Sequence, residues 1–392
     1  MRTSDFVPKT QVMPRQNRTV PGFWPCGIDW GYSGIKGMSP NKVFTLPNCA
    51  IKADNVKELG EPGPTDIVIR DADGTWFVGD QALSLMGDGG GMNYEMEMYG
   101  RNRYFSPVFR ALVKAGLAFA LSGNQFGYWN PETEKVVLQT GLPPRYRNAD
   151  SADFREALAG KYDFEMRVGN APFMRYRFEI GPDCIFIMDQ AMGALASSIM
   201  DSTGRPVPSQ AKIMRQKTLC LDPGFKTLDV YNISSGAILG APQTYDNLGM
   251  QEVYTRAAAE IMNRYGKEMS VSAMQAAAKN GYFNAFNRRQ MTTEKVFFGD
   301  ILERANLSVC SDAIAKILNN WNYLQDHDNL VITGGTGDAW FPIISERLRG
   351  MGNLSIISSN RNDTSLSNVF GNVRGYYFYL VERLARKGVS GR

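Results

Sequence analysis

Histidine is almost missing from this sequence. The one copy, His327, stands between Asp326 and Asp328 in a turn-like stretch. That nearly excludes a Ser-His-Asp triad and a histidine-based zinc site. Cysteine is scarce too: five residues, at 26, 49, 184, 220 and 310, with no CxxC spacing and an odd total. Buried free thiols in a reducing compartment are the simplest reading. No apolar run reaches the length of a signal peptide or a membrane span, so the expectation is a cytoplasmic protein. There is no low-complexity tract and no short-period repeat. Neither GxxxxGK[ST] nor GxGxxG occurs, so the two commonest nucleotide loops are excluded. Asp71, Asp73, Asp88 and Glu95 lack EF-hand spacing and read as turns and solvated faces rather than a Ca²⁺ site. The net charge of +4 is too modest to call for nucleic acid.

What is there is ordinary globular material: 392 residues, 43% hydrophobic and 21% charged. That length suggests two domains. Residues 1–22 are polar, basic and proline-bearing and read as a flexible arm, with contact to a neighbouring subunit as the alternative. Strand-like runs follow at 26–30, 42–47, 66–70 and 75–79, the last two joined by an Asp-Gly hairpin signal. Residues 84–103 read as a loop or ragged helix, and 106–122 as a helix with Pro107 in its first turn. Strands at 135–140, 175–180, 184–188, 218–222 and 329–333 alternate with helical patterns at 153–158, 190–200, 251–265, 292–318 and 373–386. Alternation of this kind means α/β. Tyr377, Leu380, Val381 and Leu384 make one apolar stripe on the closing helix, read as packed against its own domain rather than on a membrane.

One device occurs twice. A buried strand ends in Asp-x-Gly at Asp29-Trp-Gly31-Tyr32-Ser33-Gly-Ile-Lys36, and again at Asp222-Pro-Gly224-Phe225-Lys226-Thr227-Leu-Asp229. The glycine lets successive backbone N–H groups turn one way, an arrangement that holds phosphate oxygens, and the Ser and Thr hydroxyls add donors. Two carboxylates facing each other with water suit Mg²⁺, and Lys36 supplies a point charge for the β/γ phosphates. A third strand runs into Gly334-Gly335-Thr336-Gly337, where a flat ring and ribose can approach the backbone. Any one copy is more often structural. The ordered set points to a nucleoside triphosphate.

With these motifs the sequence resembles the actin/Hsp70/sugar-kinase ATPase superfamily. CGIDWGYSGIK looks like its first phosphate motif, LDPGFKTLDV its second and VITGGTGDAWF its adenosine motif. Within it, Gln139-Thr-Gly-Leu-Pro143, the second phosphate motif and Asn372-Val-Arg-Gly-Tyr-Tyr377 are similar to the ParM-type actin-like proteins of plasmid segregation. The resemblance spans about residues 24–385. It implies an actin/Hsp70-like fold: two facing α/β domains with a nucleotide cleft, the first over 23–198 and completed by the C-terminal helix at about 368–388, the second over 199–367. It also implies ATP or GTP with Mg²⁺, held through waters by Asp29 and Asp222. By the same resemblance, Gly249 and Lys295 border the nucleotide. Gln190 stands where ParM relatives carry Glu and so looks like actin. A neutral amide cannot be a general base, but it can orient the attacking water. Asp189 is expected to point elsewhere.

The resemblance further implies a polar, twisted filament of the chain with itself, and a DNA-binding adaptor as the link to cargo, with no direct nucleic-acid contact and no membrane. The alternative is a monomeric small-molecule kinase or phosphatase of the same superfamily, although no convincing substrate-side carboxylate base is found. A chaperone of the superfamily needs a peptide-binding domain, and a membrane-bound cell-shape actin an apolar amphipathic terminus. Arg101, Arg103 and Arg110 form a basic cluster read as either solvated surface or a partner contact.

Overall fold

Two sheets in this chain repeat one strand order, and the doubling is what positions the site. The computed structural model describes residues 3–53, 62–86, 101–287 and 289–389. The first sheet runs Gln11–Pro14, Lys42–Pro47, Gly34–Ser39, Phe23–Trp30, Lys135–Leu142, Ile185–Asp189. The second runs Ala237–Ile238, Thr227–Ser234, Thr218–Pro223, Asn329–Ile332, Ser355–Ser358, with Gln243–Asp246 added on Thr227–Ser234. In both, a strand that ends in the Asp-x-Gly device leads into an antiparallel meander. Two parallel strands then follow on that strand's other side. A smaller five-stranded sheet, which includes the Ile67–Asp71/Gly74–Val78 hairpin, is attached to the first half. The hairpin Tyr282–Asn287/Thr292–Phe297 is attached to the second.

Side-chain alternation along each device strand sorts its two faces. Cys26, Ile28 and Trp30 point into a core shared with the helix Pro107–Leu121. Gly27 and Asp29 therefore face the other way, where the closing helix Gly371–Val389 lies on the sheet. A Cβ on Gly27 would sit 2.7 Å from the Val373 carbonyl oxygen, so only glycine allows this approach. In the second sheet Cys220 and Asp222 share the face covered by the helix Gln190–Ile199. The two helices cross in direct contact between the sheets. At the crossing a Cβ on Gly375 would sit 1.8 Å from the Gly193 carbonyl oxygen. Both aspartates thus project from strand ends beside one helix pair.

The arm expected to be free over residues 1–22 is folded from residue 3 onward. Thr3–Phe6 is a 3-10 turn, Gln11–Pro14 is an edge strand on Lys42–Pro47, and Phe6 and Val7 are buried in a core cluster drawn from both halves. Its basic and proline-rich composition hid two apolar anchors. The helix expected over 292–318 is divided: Thr292–Phe297 is a strand and the helix is Gly299–Asn320. The β-branched Thr292, Thr293 and Val296 favour the pleated form. Strands at Gly34–Ser39, Gly160–Val168 and Ser355–Ser358 and the helix Val271–Asn280 were not foreseen. Of the stretch 84–103, residues 84–86 end the helix Asp80–Met86 and Arg101–Phe105 is a 3-10 turn; the rest, with Asp88 and Glu95, lies outside the described residues. The closing helix buries Tyr377, Leu380, Val381 and Leu384 in a core cluster with Met38, Val43 and Val137 of the first sheet and with Met200 and Leu366. Among the described residues no helix is long and apolar enough to cross a membrane.

Candidate functional site

Asp29 and Lys36 are cross-strand partners on adjacent antiparallel strands, which brings Lys36 Nζ to 3.2 Å from Asp29 Oδ2. The loop between them turns at Gly31, where a Cβ would lie 3.1 Å from Lys36 Nζ and from the Gly34 carbonyl oxygen. Asn48 pins the turn by donating to the Gly31 carbonyl at 2.6 Å. The Tyr32 ring lies under the Arg103 guanidinium at 4.4 Å, and Arg103 donates to the Trp30 carbonyl at 2.9 Å. Arg103 is only 7% exposed and lines the cleft beside this loop, so it is not part of a solvated basic cluster. Arg110 is exposed, and the Arg101 side chain lies outside the described residues. Asp71 is buried against Lys114, with Asp73 at 3.7 Å from the same ammonium, an ion-pair arrangement that accounts for both carboxylates.

The second loop is held from outside by its carbonyls. Thr336 Oγ1 donates to the Gly224 carbonyl at 2.7 Å, and Gln251 N donates to the Phe225 carbonyl at 2.7 Å. Gly249, at the start of the helix Met250–Tyr265, fits because a Cβ there would be 2.5 Å from Phe225 O. Asp222 accepts from Asn372 Nδ2 at 2.8 Å, and Thr333 Oγ1 in turn donates to Asn372 Oδ1 at 3.2 Å. Burial pushes the Asp222 carboxyl up to about 6; the Asn372 bond opposes this, the Asp29 charge adds to it and Lys36 opposes it. Asp229, the cross-strand partner of Asp222, is pushed up to about 7 by burial, against the bond from Thr244 at 2.6 Å. Both carboxyls line one cleft, where a bound cation would offset the burial that raises them.

Gly334 has φ +83°, a left-handed conformation, and a Cβ there would be 2.5 Å from Asp222 Oδ1. The helix Gly335–Arg347 begins directly after it. From the helix Gln190–Ile199, the first residue points its amide nitrogen at Asp29 Oδ1, at 3.5 Å. Its neighbour Asp189 turns away and pairs with Arg147 at 2.7 Å, as anticipated.

These parts surround one cleft of about 460 Å³. It is lined from the first half by Asp29, Gly31, Tyr32, Ser33 and Lys36, and from the second by Asp222, Gly224, Phe225, Thr227, Gly334, Gly335 and Thr336, with Gln190 between. Three expected residues are not in its lining. Gly249 only supports the loop. Lys226 reaches over the Tyr32 ring at 5.9 Å, bridging the two loops. Lys295 sits on the strand Thr292–Phe297 with its ammonium 4.3 Å from the Tyr282 ring. Its placement at the nucleotide followed from the family resemblance, and the cleft's lining does not include it. Asn372 was missed as a site residue. It was legible only as part of a C-terminal motif, and its bond to a strand 150 residues away left no local signal. Among the described residues no group of three or more His, Cys, Asp or Glu is placed to hold a metal. The two aspartates with water and phosphate oxygens make a hard-oxygen set that fits Mg²⁺.

Residues 27–183 match the family described as the N-terminal domain of actin like proteins. No curated protein matches the chain in sequence. Among solved structures, a non-polymerisable quadruple mutant of pCBH ParM superposes with a TM-score of 0.68 at 18% identity, covering 92% of this chain and 99% of its own. ParM in a 15-stranded filament from Clostridium botulinum gives 0.65 at 17% identity, over 91% and 99%. The archaeal actin homologue Ta0583 in complex with ADP gives 0.60 at 16%, over 92% and 99%. The chain therefore has the actin-like fold.

Proposed function

We propose that this chain of actin-like fold is a filament-forming nucleoside triphosphatase. ATP or GTP with Mg²⁺ binds in the cleft, and its slow hydrolysis controls assembly and disassembly. The observation that carries the reading is the doubling: two Asp-x-Gly turns, one from each sheet, bring Asp29 with Lys36 and Asp222 to opposite walls of a single cleft. A cleft of that volume suits a nucleotide. Mg²⁺, when bound, offsets charge on the β and γ phosphates. Lys36 adds a fixed positive charge there, and the Gly31–Ser33 and Gly224–Thr227 turns orient the phosphate chain. Gln190, with its amide nitrogen toward Asp29, leaves its carbonyl oxygen to accept a hydrogen bond from the attacking water. Catalysis of this sort is positioning and electrostatics.

Because the walls belong to two halves, closing the cleft and building a filament are linked in this reading. The filament is polar and made of this chain alone. In the cytoplasm, an adaptor protein joins it to plasmid DNA, with no direct contact to nucleic acid or membrane. The test is right-angle light scattering after addition of Mg-ATP, Mg-GTP or Mg-ADP, with Asp222→Ala in parallel. A rise with triphosphate that the variant lacks is expected, and the better triphosphate names the fuel. A flat trace from folded protein that still hydrolyses nucleotide would overturn the filament and favour a monomeric kinase or phosphatase. A Gln190→Ala variant that hydrolyses at the parent rate while assembling would remove Gln190 from the mechanism.

A further inference from the structure

The N-terminal segment touches both halves of the molecule, and its path follows the mouth of the cleft. Its 3-10 turn, Thr3–Phe6, packs beside the helix Val271–Asn280 and the start of the helix Gly335–Arg347, both in the second half. Phe6 and Val7 are each 6% exposed, in a core cluster that joins the second half to Cys49, Val68, Phe77, Leu83 and Met86 of the first. Tyr254 donates its hydroxyl to the Phe6 carbonyl at 2.8 Å. Pro8 then crosses to the first half. Its Cβ lies 3.2 Å from where a Cβ on Gly34 would be, at the end of the first phosphate turn. Thr10 N donates to Asp80 Oδ2 at 2.9 Å, and the other oxygen of Asp80 is 3.0 Å from Lys279 Nζ of the second half.

Gln11 begins the edge strand, and its register matters. Gln11 pairs with Thr45, Thr45 with Lys36, and Lys36 with Asp29. Directly opposed residues share a face, so these four form one polar row across four strands. All four line the cleft, together with Ser4, Asp5, Phe6, Val7, Pro8 and Lys9.

We propose that residues 3–11 are a strap that forms the outer wall of the nucleotide site and must be released for nucleotide to enter or leave. The ligand rests on the function proposed above; the wall rests on the contacts just described. The two halves cannot part without breaking one end of the strap. The far end is the stronger. It has a four-residue ladder, the Asn17 amide on the Ser39 carbonyl at 2.6 Å, and Arg15 on Asp363 at 3.0 Å. Asp363 also lies 3.5 Å from the buried Arg374 of the closing helix. The near end is one short turn held mainly by Phe6 and Val7. Release therefore occurs at Phe6, and the strap swings out on the edge strand. Local opening of such a weakly held segment sets an exchange rate without unfolding the domain.

The experiment compares the parent, Phe6→Ala and a chain lacking residues 2–9, each shown to be folded by circular dichroism. Dissociation of a fluorescent ATP analogue in Mg²⁺ is followed by stopped-flow chase with unlabelled ATP. Backbone hydrogen exchange is measured on the same proteins without nucleotide. Expected are dissociation faster by roughly tenfold or more in Phe6→Ala, protection of residues 3–14 in the parent, and loss of protection at 3–10 and 31–34 in the variant. Unchanged dissociation in a folded variant would overturn the strap. So would a parent whose residues 3–10 exchange as fast as unstructured chain. A parent that binds no nucleotide would instead refute the reading of the ligand, and the exchange pattern alone would then decide whether the wall exists.

Discussion

Replacing Asp222 by Asn should make the nucleotide-free protein more stable at alkaline pH while destroying its response to Mg-nucleotide. Asp222 is 6% exposed, and burial outweighs the Asn372 bond and raises its carboxyl to about 6 from an ordinary 3.8. A raised acid binds its proton more tightly in the folded than in the unfolded state. Folding stability therefore falls as pH rises from about 4 to about 6, and the loss is complete above that. Two pH units correspond to about 3 kcal/mol. Asn has the same shape without the charge. Its oxygen can still accept from Asn372, while its NH2, a donor in place of an acceptor, has the water of the cleft to donate to. The variant should be more stable than the parent by about 1–3 kcal/mol at pH 8, and the gap should close near pH 4. Urea denaturation at pH 4, 6 and 8, without nucleotide or Mg²⁺, measures it. Addition of Mg-ATP should then raise the melting temperature of the parent but not of the variant, because only the parent holds the cation. A variant less stable than the parent at pH 8, or a difference that ignores pH, would refute the reasoning: Asp222 would then be a structural acceptor rather than a charge held ready for a ligand.

Asp229→Asn should flatten a similar loss between about pH 4 and 7, since burial raises this carboxyl to about 7; the same urea series reads it. Asn372→Ala removes the donor from a buried carboxylate, which should cost about 1.5–3 kcal/mol at pH 8 and weaken Mg²⁺-dependent nucleotide binding in calorimetric titration. Gly375→Ala places a methyl 1.8 Å from the Gly193 carbonyl oxygen at the crossing of two helices. Overpacking there should cost about 1–3 kcal/mol, visible as a lower melting temperature. Gly334→Ala combines a left-handed backbone with a 2.5 Å approach to Asp222, so it should reduce nucleotide affinity more than it reduces stability, which comparing calorimetry with thermal melts separates.

The parts of the site that were legible are those made by short local patterns. Asp29, Gly31 and Lys36 lie within eight residues on a hairpin, and Asp222, Gly224 and Thr227 within six on another. Each pattern carries its own turn chemistry, so the sequence displays it in one glance. Asn372, Arg103 and Asn48 were not legible as site residues. Each acts through a contact with a segment far along the chain, and an Asn or Arg in a helix or turn has no spacing that announces such a partner. Lys295 shows the opposite error. Its role was carried by the family resemblance alone, with no local turn chemistry behind it, and the cleft's lining does not include it. Composition misled most at the N-terminus. Polar and charged residues with three prolines dominate residues 1–22, and the apolar minority was given no weight.

That minority has a further meaning. A free arm needs no buried side chain, yet Phe6, Val7 and Val20 are all buried, the first two in a cluster drawn from both halves and Val20 in the one beneath the closing helix. A segment anchored on two bodies makes their separation costly. The same cleft holds Asp222 and Asp229, neighbours on one sheet, whose charges lose hydration when the cleft is closed. The strap thus holds shut a cleft that unneutralised carboxylates would favour open. A cation with a triphosphate compensates those charges and makes the strap less necessary. Loss of the Phe6 anchor should therefore destabilise the nucleotide-free protein more at pH 8 than at pH 5, where the two carboxyls carry less charge, and should do so less once Mg-nucleotide is bound.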